Sequence, residues 1–168
     1  MKTAIAHIIF ILISFQLYGQ DSSETKSNGS KNFLSVEFLG ASGYFSINYE
    51  REVFSTKKIR VNQSLGVGYF VETKYTPWVL SYILRTDVEY GSLEKRLYPI
   101  LGYSFSHNFD LNNSKEIYIS NSLVVGLRIK LNNDLSLAPK YYLMFFHEPH
   151  FNSNYILNWG GLSLKHNF

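Results

Sequence analysis

Residues 155–168, Tyr155-Ile156-Leu157-Asn158-Trp159-Gly160-Gly161-Leu162-Ser163-Leu164-Lys165-His166-Asn167-Phe168, alternate in polarity down to a phenylalanine carrying the terminal carboxylate. An extended strand sends successive side chains to opposite faces. Leu162, Leu164 and Phe168 therefore share one surface, and Ser163, Lys165 and Asn167 share the other. A wall with an apolar exterior and a polar interior would look like this.

The other end of the chain reads as an export signal. Lys2 gives a short basic region, Ala4–Phe15 is an almost unbroken apolar run, and Leu17-Tyr18-Gly19 offers a small residue before Gln20 as a cleavage point. Residues 1–19 are expected to be removed, because a retained helical anchor needs about 20 apolar residues. The sequence has no cysteine, so neither disulfides nor lipidation at a signal-peptide cysteine is available. The remaining length, about 150 residues, suits one domain. Without Lys2 it carries a net charge of +2, with no basic run beyond Lys57-Lys58-Ile59-Arg60, and nucleic-acid binding has no support. Aromatic residues make up 17%, including 13 Tyr and 13 Phe, which favours strands and membrane interfaces over helices.

Residues 20–32 include the stretch Asp21–Asn32 (DSSETKSNGSKN), which has no apolar residue and reads as a disordered leader. Over residues 33–168, period-two segments recur near Phe33–Gly40, Gly43–Val53, Lys58–Val71, Trp78–Gly91, Lys95–His107, Lys115–Leu131, Leu135–Phe146 and Asn154–Phe168. Turn-forming residues separate them, most tightly at Leu39–Gly43, Gly91–Glu94 and Asn132–Asp134. The expected fold is all-β: an eight-stranded antiparallel transmembrane up-and-down β-barrel. Most segments meet the about 9–11 residues that a tilted spanning strand needs. The sixth is the cleanest, with Ile117, Ile119, Asn121, Leu123, Val125, Leu127, Ile129 and Leu131 facing away from Tyr118, Ser120, Ser122, Val124, Gly126, Arg128 and Lys130. In the seventh, the face carrying Lys140 also carries Ala138, Tyr142, Met144 and Phe146, so its orientation is ambiguous.

The ending Leu162…Leu164…Phe168 resembles the C-terminal strand by which outer-membrane barrels are recognised for assembly, with His166 where that strand ordinarily carries an aromatic or aliphatic residue. Val36-Glu37-Phe38-Leu39-Gly40, Tyr44–Arg51 with its Asn48-Tyr49-Glu50-Arg51 end, and Leu65–Phe70 are similar to the opening of a group of small Bacteroidota outer-membrane barrels. The resemblance implies an eight-stranded barrel in a Gram-negative outer membrane, in contact with lipid and lipopolysaccharide and built by the barrel-assembly machinery. It specifies no extracellular partner.

Alternation alone does not say which face is inside. A soluble lipocalin-like carrier would bury the apolar face and solvate Arg128 and Lys165. The export signal, the terminal phenylalanine and two aromatic girdles favour the membrane reading: Phe45, Tyr69, Phe105 and Phe145 near the outer rim, Tyr90 and Phe168 near the inner one. Placing the polar faces inward lines the lumen with Glu37, Glu50, Arg60, Arg85, Asp87, Glu89, Arg96, Arg128, Lys130, Lys140 and Lys165. Such charges must pair, because isolated buried charges are costly. The expected result is a salt-bridged plug rather than an anion path, with Arg128 meeting a carboxylate among Glu50, Asp87 and Glu89.

Three further patterns carry little chemistry. His147-Glu148-Pro149-His150 has two imidazoles beside a carboxylate but no evident third metal ligand. Some eight-stranded outer-membrane proteins modify lipid A with a Ser/His/acid set, and here Ser106 with His107 and Ser163 with His166 are the nearby pairs. Each pair should point to opposite faces. No Gly-x-Ser-x-Gly or phosphate loop is present. The expectation is a non-enzymatic outer-membrane barrel with a sealed lumen, no cofactor, no metal, and a structural or surface-interaction role; a soluble carrier and a lipid-A-modifying enzyme are the alternatives.

Overall fold

A computed structural model describes residues 31–40, 43–70, 79–91, 96–110, 115–148 and 153–168. The signal segment, nearly all of the leader, and parts of two expected turns, residues 41–42 and 92–94, lie outside these. Eight strands are present: β1 (Asn32–Gly40), β2 (Gly43–Ser55), β3 (Ile59–Phe70), β4 (Val79–Tyr90), β5 (Leu97–Asp110), β6 (Lys115–Lys130), β7 (Leu135–Glu148) and β8 (Ser153–Asn167). Each pairs antiparallel with its sequence neighbours, and β1 pairs with β8 from Phe33↔Asn167 to Phe38↔Leu162. The sheet is a closed eight-stranded barrel. Closure leaves no unpaired sheet edge.

Alternation decides the inner face strand by strand. On β4, Val79, Ser81, Ile83, Arg85, Asp87 and Glu89 are all buried, and the residues between them point outward. Strand β7, ambiguous in sequence, follows the same rule with Ala138, Lys140, Tyr142, Met144 and Phe146 inside. Its apolar inner residues have a reason: Tyr142, Met144 and Phe146 pack with Ile83 and Val124, and Trp159 covers the cluster. Large side chains on β7 fill the space left by small ones such as Ser104, Ser106, Ser120 and Ser122 on β5 and β6, consistent with an eight-stranded interior just wide enough for its own side chains.

The turns obey local chemistry. Asn132 Oδ1 accepts from the backbone N–H of Asp134 (2.9 Å) and of Leu135 (2.7 Å), an Asx turn joining β6 to β7. Thr56 Oγ1 accepts from Ile59 N–H at 2.9 Å between β2 and β3.

Strand limits differ from expectation by a few residues, and two departures have physical causes. A β-bulge between Glu52 and Phe54 shifts the β2–β3 register. One extra residue reverses the alternation, so Glu52 is buried while Phe54, of the same parity, is exposed. Opposite Pro139, the β6–β7 pairing passes from Gly126↔Lys140 to Ile129↔Leu137. Proline has no N–H to give to a ladder.

Candidate functional site

The inner faces of β1, β2, β4 and β7 converge on one guanidinium. Arg85 Nη1 donates to Glu37 Oε2 at 2.6 Å, Nη2 to Glu50 Oε1 at 3.1 Å, and Nε lies 3.0 Å from Asp87 Oδ2. Three carboxylates around one cation would repel one another, and Lys140 offsets part of this, with Nζ 3.6 Å from both Glu37 Oε2 and Asp87 Oδ2. The Tyr142 hydroxyl donates to Glu37 Oε1, and Ser35 Oγ donates to Glu50 Oε1 at 2.7 Å.

A second centre forms around Glu89. Arg60 Nη2 lies 3.1 Å from Glu89 Oε2, Arg128 Nη1 donates to Oε1, and Asn62 Nδ2 donates to Oε1 at 2.6 Å. Glu50 bridges the two centres, because its Oε2 is 2.7 Å from Lys165 Nζ and 3.8 Å from Arg128 Nη2. Two of the cations have secondary supports: Arg60 stacks 4.2 Å over the Tyr98 ring, and Lys165 Nζ lies 3.7 Å from the Phe33 ring centroid. Arg128 thus meets Glu89 and Glu50, two of the three carboxylates open to it from sequence, and not Asp87.

The structure therefore brings together Glu37, Glu50, Arg60, Arg85, Asp87, Glu89, Arg128, Lys140 and Lys165. Two residues expected in the lumen depart from it. Arg96 is exposed, because β5 begins at Leu97 and Arg96 lies just before it. Lys130 is half-buried at the mouth, at the very end of β6. Sequence reasoning missed Glu52, although it shares parity with Ser46, Asn48 and Glu50. It also missed the uncharged partners Ser35, Asn62 and Tyr142, since partnership across a lumen leaves no mark along one strand.

Gly102 shows how closely the network is fitted. A Cβ there would overlap the Asp87 carboxylate and stand 3.0 Å from the Thr86 carbonyl oxygen. Glycine removes that obstacle on the wall facing Asp87.

The serine–histidine pairs are divided by the wall. Ser106 is buried and hydrogen-bonds Ser120 Oγ at 2.5 Å, whereas the His107 ring lies half-buried against Phe109, with centroids 4.2 Å apart. Ser163 is buried and His166 is exposed. His147 is exposed, and Pro149 and His150 lie outside the described residues. Among the described residues, no three His, Asp or Glu side chains are grouped to hold a metal ion. The expected assembly residues Leu162, Leu164 and Phe168 all face outward and are exposed.

Burial is inverted relative to a soluble barrel. Leu65, Leu101, Val125 and Ile156 are 56%, 62%, 55% and 65% exposed, while Arg85 and Lys140 are 3% and 4% exposed. A soluble carrier needs an apolar interior, and this interior is charged along much of its length.

No family model matches the chain, and no curated protein matches it. Solved structures do. Neisserial surface protein A is 15% identical with a TM-score of 0.49, over 82% of this chain and 92% of that one. A major outer membrane protein from Thermus thermophilus is 14% identical with a TM-score of 0.42, over 84% of this chain and 100% of that one. Ail, the attachment invasion locus protein of Yersinia pestis, is 13% identical with a TM-score of 0.38, over 83% of this chain and 95% of that one. The Thermus chain is named as an outer membrane protein and the Neisserial one as a surface protein. Likeness at this level carries no role across, and it does not support the narrower Bacteroidota group that Val36–Phe70 resembles.

Proposed function

We propose that this chain is an outer-membrane β-barrel, exported by a cleaved signal at residues 1–19, with a lumen sealed by its own ion pairs and a non-enzymatic structural or surface-interaction role. The observation that carries this reading is the inverted burial: a closed wall whose outer surface is largely apolar around a charged, paired interior. Exposed apolar surface on this scale is not tolerated in water and is what hydrocarbon requires. Sealing is supported by the two layers inside, the ion pairs that run from Arg85 to Glu89 and the Ile83–Val124–Tyr142–Met144–Phe146 cluster.

The purified protein is expected to fractionate with outer membranes, to need detergent, and to migrate differently on gels before and after heating. In planar bilayers it should show little or no steady conductance. A detergent-free soluble monomer would overturn the membrane reading, and large stable anion-selective channels would overturn the seal.

Assembly follows from the same reading. Leu162 and Leu164 lie on the outer face of the strand that closes the barrel against β1, with exposed Phe168 just beyond its end, and the three are the proposed contact with the barrel-assembly machinery. Deleting Phe168 should lower the amount of assembled barrel in the outer membrane severalfold while leaving synthesis unchanged, as read by immunoblot of membrane and whole-cell fractions. Equal membrane yield would remove this role.

A further inference from the structure

A cavity of about 150 Å³ opens at the end of the barrel near Lys31 and Asn167. Its charged lining is lopsided, with Lys31, Arg60, Arg128, Lys130 and Lys165 against the single acid Asp134. The carboxylates behind this lining do not restore the balance. Glu89 is shared by Arg60, Arg128 and Lys165, and Glu50 is shared by Arg128 and Lys165 while also holding Arg85. With buried Glu52, which pairs in register with cavity-lining Asn62, five cations face four carboxylates, one of them drawn on by Arg85 as well. A surplus of positive charge remains in a partly enclosed space, where uncompensated charge is costly. Arg128 Nε is buried and has no hydrogen-bond partner among the described residues, and the amides of Asn133 and Asn167 also line the cavity.

We propose that this vestibule binds the phosphate group of a monoester or of free phosphate. Such a group carries about −1.5 to −2 charges at neutral pH and three strong acceptor oxygens, so it can engage several of these cations at once where a carboxylate offers only two oxygens. Two guanidiniums, Arg60 and Arg128, supply planar forks suited to phosphate oxygens. Lys130 supplies a point charge at the entrance and takes no part in the ion pairs that hold the lumen together, so it can serve the ligand without weakening the wall.

The test uses the full mature chain in neutral detergent at constant ionic strength set with chloride, titrated calorimetrically with inorganic phosphate in one arm and with short-chain phosphatidic acid in the other. Saturable one-to-one binding is expected, weakened at least tenfold by Lys130→Gln and by Arg60→Gln and unchanged by Lys58→Gln, an exposed lysine outside the cavity. Saturation by inorganic phosphate identifies a soluble phosphate ligand. Saturation by phosphatidic acid alone identifies a lipid headgroup, and either result supports the phosphate site. Absence of saturation with both probes, or the same affinity in Lys130→Gln as in the unaltered chain, overturns the proposal. Lys130→Gln keeps the test valid even if Arg60→Gln, which loses its contact with Glu89, folds poorly.

Discussion

Replacing Arg85 by Met is expected to lower the stability of the detergent-held barrel by about 3–5 kcal/mol, the usual consequence of removing one partner from a buried ion pair. The loss comes less from the missing attraction than from what is left behind. Glu37, Glu50 and Asp87 would remain buried near one another, with Lys140, Lys165 and Arg128 alone to balance them. Urea unfolding followed by tryptophan fluorescence measures the difference. Arg96→Met is the control, because that arginine is exposed and should change stability by no more than about 0.5 kcal/mol. Similar losses in the two variants would mean that the lumen network contributes nothing specific.

Val125→Arg should be nearly as damaging for the opposite reason. Val125 lies within the long strand β6, faces outward, and pairs with the equally exposed Leu101. A guanidinium near the middle of the hydrocarbon layer costs about 2–4 kcal/mol, falling to about 0–1 near the interface. Leu131→Arg, six positions along the chain and exposed just beyond the end of β6, should therefore be close to neutral. Unfolding in lipid vesicles resolves the two, and equal costs would show that no membrane surrounds Val125.

Much of this fold was legible because a half-buried strand writes its two environments into alternate residues. The sixth segment was read to within a residue of β6, and the parity of Glu37, Glu50, Arg85, Asp87 and Glu89 put them inside. Parity fails where the backbone departs from a regular pleat. Extending the fifth strand back to Lys95 drew Arg96 into the lumen, although the strand starts only at Leu97. The bulge after Glu52 turned Phe54 outward without any glycine or proline to announce it. Pairing was less legible than placement: which cation meets which carboxylate depends on how far each strand is staggered around the barrel, a quantity no single strand encodes. Tyr142 illustrates this, since its hydroxyl serves Glu37 across the lumen, 105 positions away.

The cross-lumen contacts also govern how the molecule comes apart. Backbone ladders tie each strand only to its two neighbours, so a barrel held by ladders alone could unzip from the β1–β8 seam one hairpin at a time. Here Glu37 on β1 is fastened to β4 and β7, and Lys165 on β8 to β2 and β4. Peeling either seam strand would abandon ions belonging to the far wall, so partial opening costs more than its own ladder, and cooperativity reaches around the circumference instead of residing in any single hairpin.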